Sequence, residues 1–308
     1  MDSEQSLIRA SVIVPVRNGG DDVQRLLEAL EAQSLAAEEF EVIIADDGSM
    51  DGSLTGVATE DGRIRVLSGP PRNSYAARNR GAAIANGAIL AFCDADCRPE
   101  TTWLETGIAR LEHAGVVAGH IEFIVAEART VWSLLDMDSF LDQERAVRAG
   151  GAVTANLLVS RELYERVGGF DDSLPEHGDY DFVARCVREG ALLDYAPEVV
   201  VRHPTRDQAR AFLGKVWVMH RWYAVRESRA RRRPEGLKFR SWVPLVQTIR
   251  ARRRFGRSRR LDRRRLGSNG VRPTLREDLG ALPVMYVLLP YLQGAAQLRG
   301  WWDGRRLR

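Results

Sequence analysis

Cysteine is scarce in this chain. Cys93, Cys97 and Cys186 are the only three in 308 residues. Three thiols cannot build a disulfide framework, and the spacing of Cys93 and Cys97 is unlike a zinc knuckle, so reduced thiols in the cytoplasm are expected. Residues 1–9 contain no apolar core, and no cleavable signal peptide is expected there. The first apolar run leads into Pro15-Val16-Arg17-Asn18-Gly19-Gly20. This stretch lacks the Gly-x-Gly-x-x-Gly turn that a dinucleotide oxidoreductase needs for close pyrophosphate approach. An unbroken membrane span is also missing. Residues 279–298 are about 20 in number and largely apolar, but Pro283, Pro290, Gln293 and Gln297 interrupt them and Trp301-Trp302 follows. Such a segment suits a helix lying at a membrane interface better than one crossing it.

What is present is a chain with 44% hydrophobic and 28% charged residues, enough for one large core plus an appendage. Apolar runs at 11–16, 40–45, 64–67 and 88–93 read as strands. They alternate with helical patterns, one opening at Asp21-Asp22 and carrying Leu26, Leu27 and Leu30, another over 73–86 with Ala76, Ala77, Ala83 and Ile84 on one face. That alternation predicts an α/β fold whose largely parallel strands are joined by right-handed crossovers. Ligands of such sheets gather beyond the carboxyl ends of the strands. Two pairs of carboxylates fall there: Asp46-Asp47 after the second strand, and Asp94-Ala95-Asp96 after the strand at 88–93. Hard oxygen ligands favour Mg2+ or Mn2+, ions that keep positions open for water and substrate phosphates, so a nucleoside diphosphate is the implied ligand class.

Four segments in order, "SVIVPVRN", "EVIIADDGSMDGS", "AARNRGAAIANGAILAFCDADCRPETTWL" and "GGAVTANLLVSRELYERVGGFDDSLPEHGDYDFVARC", resemble the successive signatures of the family 2 glycosyltransferases. The resemblance covers roughly residues 10–205. It implies a GT-A fold, a Rossmann-like, mixed and mostly parallel sheet flanked by helices, here with a helical C-terminal extension. It also implies inverting transfer from a nucleoside diphosphate sugar, most commonly a UDP-sugar, with Mg2+ or Mn2+. Carried over by position, it puts Val14, Pro15 and Arg17 near the base, and Asp46, with Asp47 beside it, on the nucleoside. Arg78 falls near the nucleotide, Asp94 near the ribose or a metal-bound water, and Asp96 on the metal. His203, after the apolar run 199–201, matches a position that can reach metal or diphosphate. Asn156 matches the stretch beneath the acceptor sugar.

A sugar hydroxyl is a weak nucleophile until its proton is accepted. Asp179 matches the family's catalytic base, although the usual Glu-Asp pair reads Gly178-Asp179 here. Asp179 could also cap the helix that follows, which does not exclude the catalytic role, and Asp181 is the fallback base. The glycine also leaves open a scaffold that binds donor without turnover.

Charge divides the chain. Residues 1–200 carry 17 basic and 35 acidic side chains, residues 201–308 carry 28 and 7. We expect a catalytic domain over 1–205 and a basic, aromatic-rich helical tail over 206–308. The tail holds Arg231-Arg232-Arg233, Arg252-Arg253-Arg254 and Arg263-Arg264-Arg265 among Phe239, Trp242 and Phe255. Clusters of this kind are drawn to anionic lipid surfaces. The expectation is therefore a peripheral enzyme at the inner face of the membrane, with a saccharide, lipid-linked or small-molecule acceptor and an oligomer contact through the C-terminal helices. The rival is a nucleic-acid-binding protein. No groove-reading motif accompanies the arginines, so no nucleic-acid partner is expected.

Overall fold

The computed structural model describes residues 8–174, 176–229 and 263–306. The arginine-rich stretch 230–262, with two of the three arginine triplets, Phe239, Trp242 and Phe255, lies outside the described residues. The chain forms β1 (Ala10–Val16), α1 (Asp22–Glu31), β2 (Phe40–Asp46), β3 (Ile64–Ser68), α2 (Ser74–Ala83), β4 (Ile89–Cys93), β5 (Arg98–Pro99) and α3 (Trp103–Leu111). There follow β6 (Val116–Ile124), α4 (Val131–Ser139), α5 (Gln143–Arg148), β7 (Asn156–Ser160), α6 (Arg161–Arg166), α7 (Gly178–Arg188), β8 (Leu193–Pro204) and α8 (Ala209–Arg229).

The eight strands make one sheet in the order β3-β2-β1-β4-β7-β6-β8-β5. β1, β2, β3 and β4 run parallel, and β6 runs parallel to β8. Antiparallel pairs are β4 with β7, β6 with β7, and β5 with β8. The expected mixed, mostly parallel sheet is therefore observed. β1 and β2 are central because they are apolar on both faces, as parallel strands covered by helices require. Val12 and Val14 enter the core on one face with Val23, Leu26, Leu27 and Leu30 of α1. Ile13 points to the other, with Phe92, Tyr164, Phe170 and Phe182. Each fully buried side chain of this kind contributes about 1.5–3 kcal/mol. Pro15 is tolerated in a central strand because the β4 ladder ends at Ile13, before the missing N–H would be needed there.

The chain divides into two compact units. One comprises Met1–Ile124 and Leu141–Pro204, the other Val125–Phe140 and Thr205–Arg308. The second unit thus takes in α4, a segment from within the expected catalytic region, whereas the sequence suggested a single boundary after residue 205. Its local order is well determined by side chains. Thr130 and Ser133 form a capping box at the start of α4. Asp136, fully buried, accepts from the Arg206 backbone N–H at 3.0 Å and from its guanidinium at 3.1 Å. Phe212 packs between Trp132 and Phe140. Pro283 and Pro290 withhold two N–H donors on either side of a π-helical stretch, Val284–Leu288, before the last helix, Leu289–Arg306. Among the described residues no helix is long and apolar enough to cross a membrane.

Candidate active site

The carboxyl ends of β1, β2 and β4 coincide, since Val16 pairs with Asp46 and the β4 ladder runs alongside β1. Beyond β4 the backbone turns at once, with Cys97 N–H donating to Asp94 O at 3.0 Å. β5 then pairs Arg98 with Arg202 of β8, so His203, one residue on, falls beside the turn. The result is a compact group. One ligand atom from each of Asp94, Asp96 and His203 lies within 4.8 Å of the others, and His203 Nε2 is 3.3 Å from Asp96 Oδ2.

The imidazole is buried, and its Nδ1 donates to the Pro204 carbonyl at 2.7 Å. A carbonyl only accepts, so Nδ1 carries a proton, and Nε2 is the ring nitrogen turned toward the Asp96 carboxylate. Two carboxylates and an imidazole with its outer nitrogen anchored are a donor set that suits Mn2+ or Mg2+. Asp94 also accepts a short hydrogen bond from the buried Arg78 guanidinium, which offsets one negative charge. Cys97 is not part of this group. Its hydrogen bond to Cys93, then burial, then the charges of Asp96 and Asp94 push its pKa well above the usual thiol range, and it stays protonated. All three cysteines are free thiols, as expected.

The loops after β1 and β2 are tied together. Asn18, in the left-handed region at φ 54, donates its N–H to Ser49 Oγ at 2.9 Å and accepts from Met50 N–H at 2.8 Å. Gly20 N–H reaches Asp51 at 3.0 Å. Asp46 accepts from Ser49 N–H at 2.8 Å, which fixes the turn at the strand end. Pro15 is half-buried and Arg17 exposed.

Three expectations need correction. The Val14 side chain lies in the core and offers a ligand no apolar wall. Asp47, expected on the substrate, is buried and holds the loop before α2, accepting from Arg72 N–H at 2.9 Å with the Arg80 guanidinium at 3.5 Å. Asn156 has 0% exposure and spends its amide on the scaffold. Its Nδ2 donates to the His120 and Val199 carbonyls, both at 2.8 Å, and its Oδ1 accepts from Trp103 Nε1 at 2.9 Å. A buried amide with both donors and its acceptor engaged is structural. Gly119 leaves room for it, since a Cβ there would lie 2.3 Å from Asn156 Nδ2.

Asp179 lies in the first turn of α7, whose cap is His177 in the left-handed region at φ 64. It is nearly buried, and its Oδ1 accepts from Tyr180 N–H at 2.9 Å and from the Tyr75 hydroxyl at 3.2 Å. The helix N-terminus favours a carboxylate at that position. Asp181, the fallback, bonds Arg185 one turn on at 2.8 Å, and that arginine also holds the Val167 and Gly169 carbonyls. Its carboxylate is therefore part of the scaffold. Tyr75 was not singled out in the sequence, where nothing in its spacing links it to a residue 104 positions away.

Residues 11–168 match the family model described as glycosyl transferase family 2. Glycosyltransferase AglE of Haloferax volcanii is 34% identical over 203 residues, spanning 64% of this chain and 67% of that protein. The pre-mycofactocin glycosyltransferase of Mycobacterium tuberculosis is 29% identical over 219 residues, 67% of this chain but 44% of its own length, so the chain spans less than half of that relative. Among solved structures, the mannosyltransferase PcManGT from Pyrobaculum calidifontis, in complex with GDP-Man and Mn2+, superposes with a TM-score of 0.60 at 17% identity. The superposition covers 96% of this chain and 87% of that one.

Proposed function

The chain belongs to glycosyl transferase family 2, and from that membership we propose that it transfers a sugar from a nucleoside diphosphate donor to an acceptor hydroxyl, inverting the anomeric carbon. Its fold is that of the GT-A glycosyltransferases. The observation that carries the reading is the Asp94, Asp96 and His203 group at the end of β4. These three residues would hold Mn2+ or Mg2+, which supplies neutralisation of the charge that grows on the leaving diphosphate. That PcManGT was solved with GDP-Man and Mn2+ supports the same class of donor and ion for this site.

The chain's own residues carry the rest. Arg78 fixes Asp94 through their ion pair and so holds the orientation of the acid group. Asp46, already set by the Ser49 amide, would accept from the nucleoside, with UDP the favoured carrier. Asp179 accepts the proton of the acceptor hydroxyl as it attacks. Thermal denaturation tests this directly, because a ligand that binds only the folded chain raises its stability. UDP-glucose, UDP-N-acetylglucosamine and GDP-mannose are compared with and without Mn2+. One donor should stabilise the protein only when Mn2+ is present. Asp179→Asn should keep that stabilisation and lose nucleotide release at least about 100-fold. Retained release would move the base to another residue.

The second unit supports a place at the inner face of the membrane. Leu279, Tyr291 and Trp302 are exposed apolar side chains on its helices, in a region rich in arginine. Sedimentation with phosphatidylserine vesicles, reversed by salt, is the expected behaviour, and a protein left in the supernatant would remove this part of the proposal.

A further inference from the structure

We propose that Tyr75 is the positioning residue for the base Asp179, and that Gly178 is glycine so that the phenol can reach it. This rests on the reading of Asp179 given above and adds a residue that reading does not contain. Tyr75 opens α2, whose first turn is fixed by Asn73. The Asn73 side chain accepts from Tyr75 N–H at 3.0 Å and Ala76 N–H at 2.9 Å, and donates to the Asp172 carbonyl at 2.9 Å. The ring is held on two sides. Phe170 lies 5.6 Å away between centroids, and the Arg78 guanidinium stacks over it at 5.6 Å. So mounted, the ring passes directly against the backbone of residue 178. A Cβ built there would lie 2.8 Å from Tyr75 Cε2 and 2.9 Å from Cδ2, so any side chain would push the ring aside.

The hydroxyl donates to Asp179 Oδ1 at 3.2 Å. Burial first, then the nearby Asp179 charge, raise the Tyr75 pKa well above the ordinary phenol range, so the proton stays available for donation. Because Tyr180 N–H also reaches Oδ1, two donors on one oxygen fix the plane of the carboxylate. The same arginine that stacks on Tyr75 binds Asp94. Helix α2 therefore braces the base and the acid group from one rigid element, the kind of support that sets catalytic geometry.

The test uses the full chain with the three donors named above. Tyr75→Phe removes one oxygen and keeps the ring. We expect kcat to fall about 10- to 100-fold, as for other displaced reacting groups, with donor KM and the Mn2+-dependent thermal shift unchanged. Combined with Asp179→Asn it should cause no further loss. Gly178→Ala should lower kcat in the same way, and adding it to Tyr75→Phe should change little. A substrate-independent arm labels the protein with 3-fluorotyrosine. The 19F resonance assigned through Tyr75→Phe should move in Asp179→Asn and stay in place in Asp181→Asn. If kcat of Tyr75→Phe lies within twofold of the parent, or the resonance ignores Asp179→Asn, the inference is wrong. Turnover surviving in Asp179→Asn is a different result, since it removes the base assignment itself.

Discussion

The two ends of the same central strands treat their carboxylates in opposite ways. At the amino end Ser11 of β1 stands opposite Glu41 of β2. Glu41 accepts from the Ser11 hydroxyl at 2.6 Å, the Asn86 N–H at 2.5 Å, the Asn86 side chain at 3.1 Å and the Arg65 guanidinium at 2.5 Å. Ser11 in turn accepts from Gly87 N–H at 2.8 Å. That end is closed by its own partners. At the carboxyl end, Asp94, Asp96 and His203 crowd together, with the Arg78 guanidinium on Asp94. Two unit charges about 4 Å apart repel by about 1 kcal/mol in water and about 4 kcal/mol near a protein surface. The difference teaches which end is for stability. Glu41 is met by donors of its own fold, whereas crowding of the kind seen at the carboxyl end concentrates at functional sites.

The largest effect that would break this contrast is at Asp96. Asp96→Asn should reduce transfer about 10²- to 10³-fold, the usual loss when one charge-stabilising group is removed, and should abolish the Mn2+-dependent thermal shift. The melting temperature without ligand should stay level or rise, because a repulsion has been relieved. A clear fall in melting temperature with activity kept would mean that the carboxyl end is structural after all.

Much of the first unit was legible because its signals are local. The runs at 11–16 and 40–45 correspond to β1 and β2, and the acids after β2 and β4 sit at the carboxyl edge where crossover topology puts them. The helix expected to follow Asp179 is α7, and before it Ser160 caps α6, accepting from Leu163 N–H. What stayed hidden depends on contacts distant in sequence. Residues 116–124 were not read as a strand, yet β6 links β7 to β8 and carries His203 to the acid group. Asn156 matched the stretch beneath the acceptor sugar, and only the fold brings Trp103, His120 and Val199 to it. Gly178 read as a lost acid. Its reason is a ring about a hundred residues earlier, which no spacing rule can anticipate.

A smaller effect sharpens the contrast at the amino end. Glu41→Gln keeps the shape but removes a charge that three side chains and a backbone amide were arranged to meet, and should cost about 1.5–3 kcal/mol with little change in kcat of the folded enzyme. Its pH dependence identifies the cause. Burial alone would raise the Glu41 pKa, but the bonds from Ser11 and Asn86 and the charge of Arg65 outweigh it, and the pKa is lowered. A carboxyl whose folded pKa lies below its unfolded one contributes stability that is complete above the unfolded value and is lost as pH falls through the folded value. The unfolded value for a glutamate is about 4.3. Melting temperatures of parent and Glu41→Gln should therefore differ most at pH 7 and converge below about pH 4. Other carboxylates titrate in both proteins and cancel in the difference, so two curves that stay parallel down to pH 3 would show that Glu41 acts through its shape and not its charge.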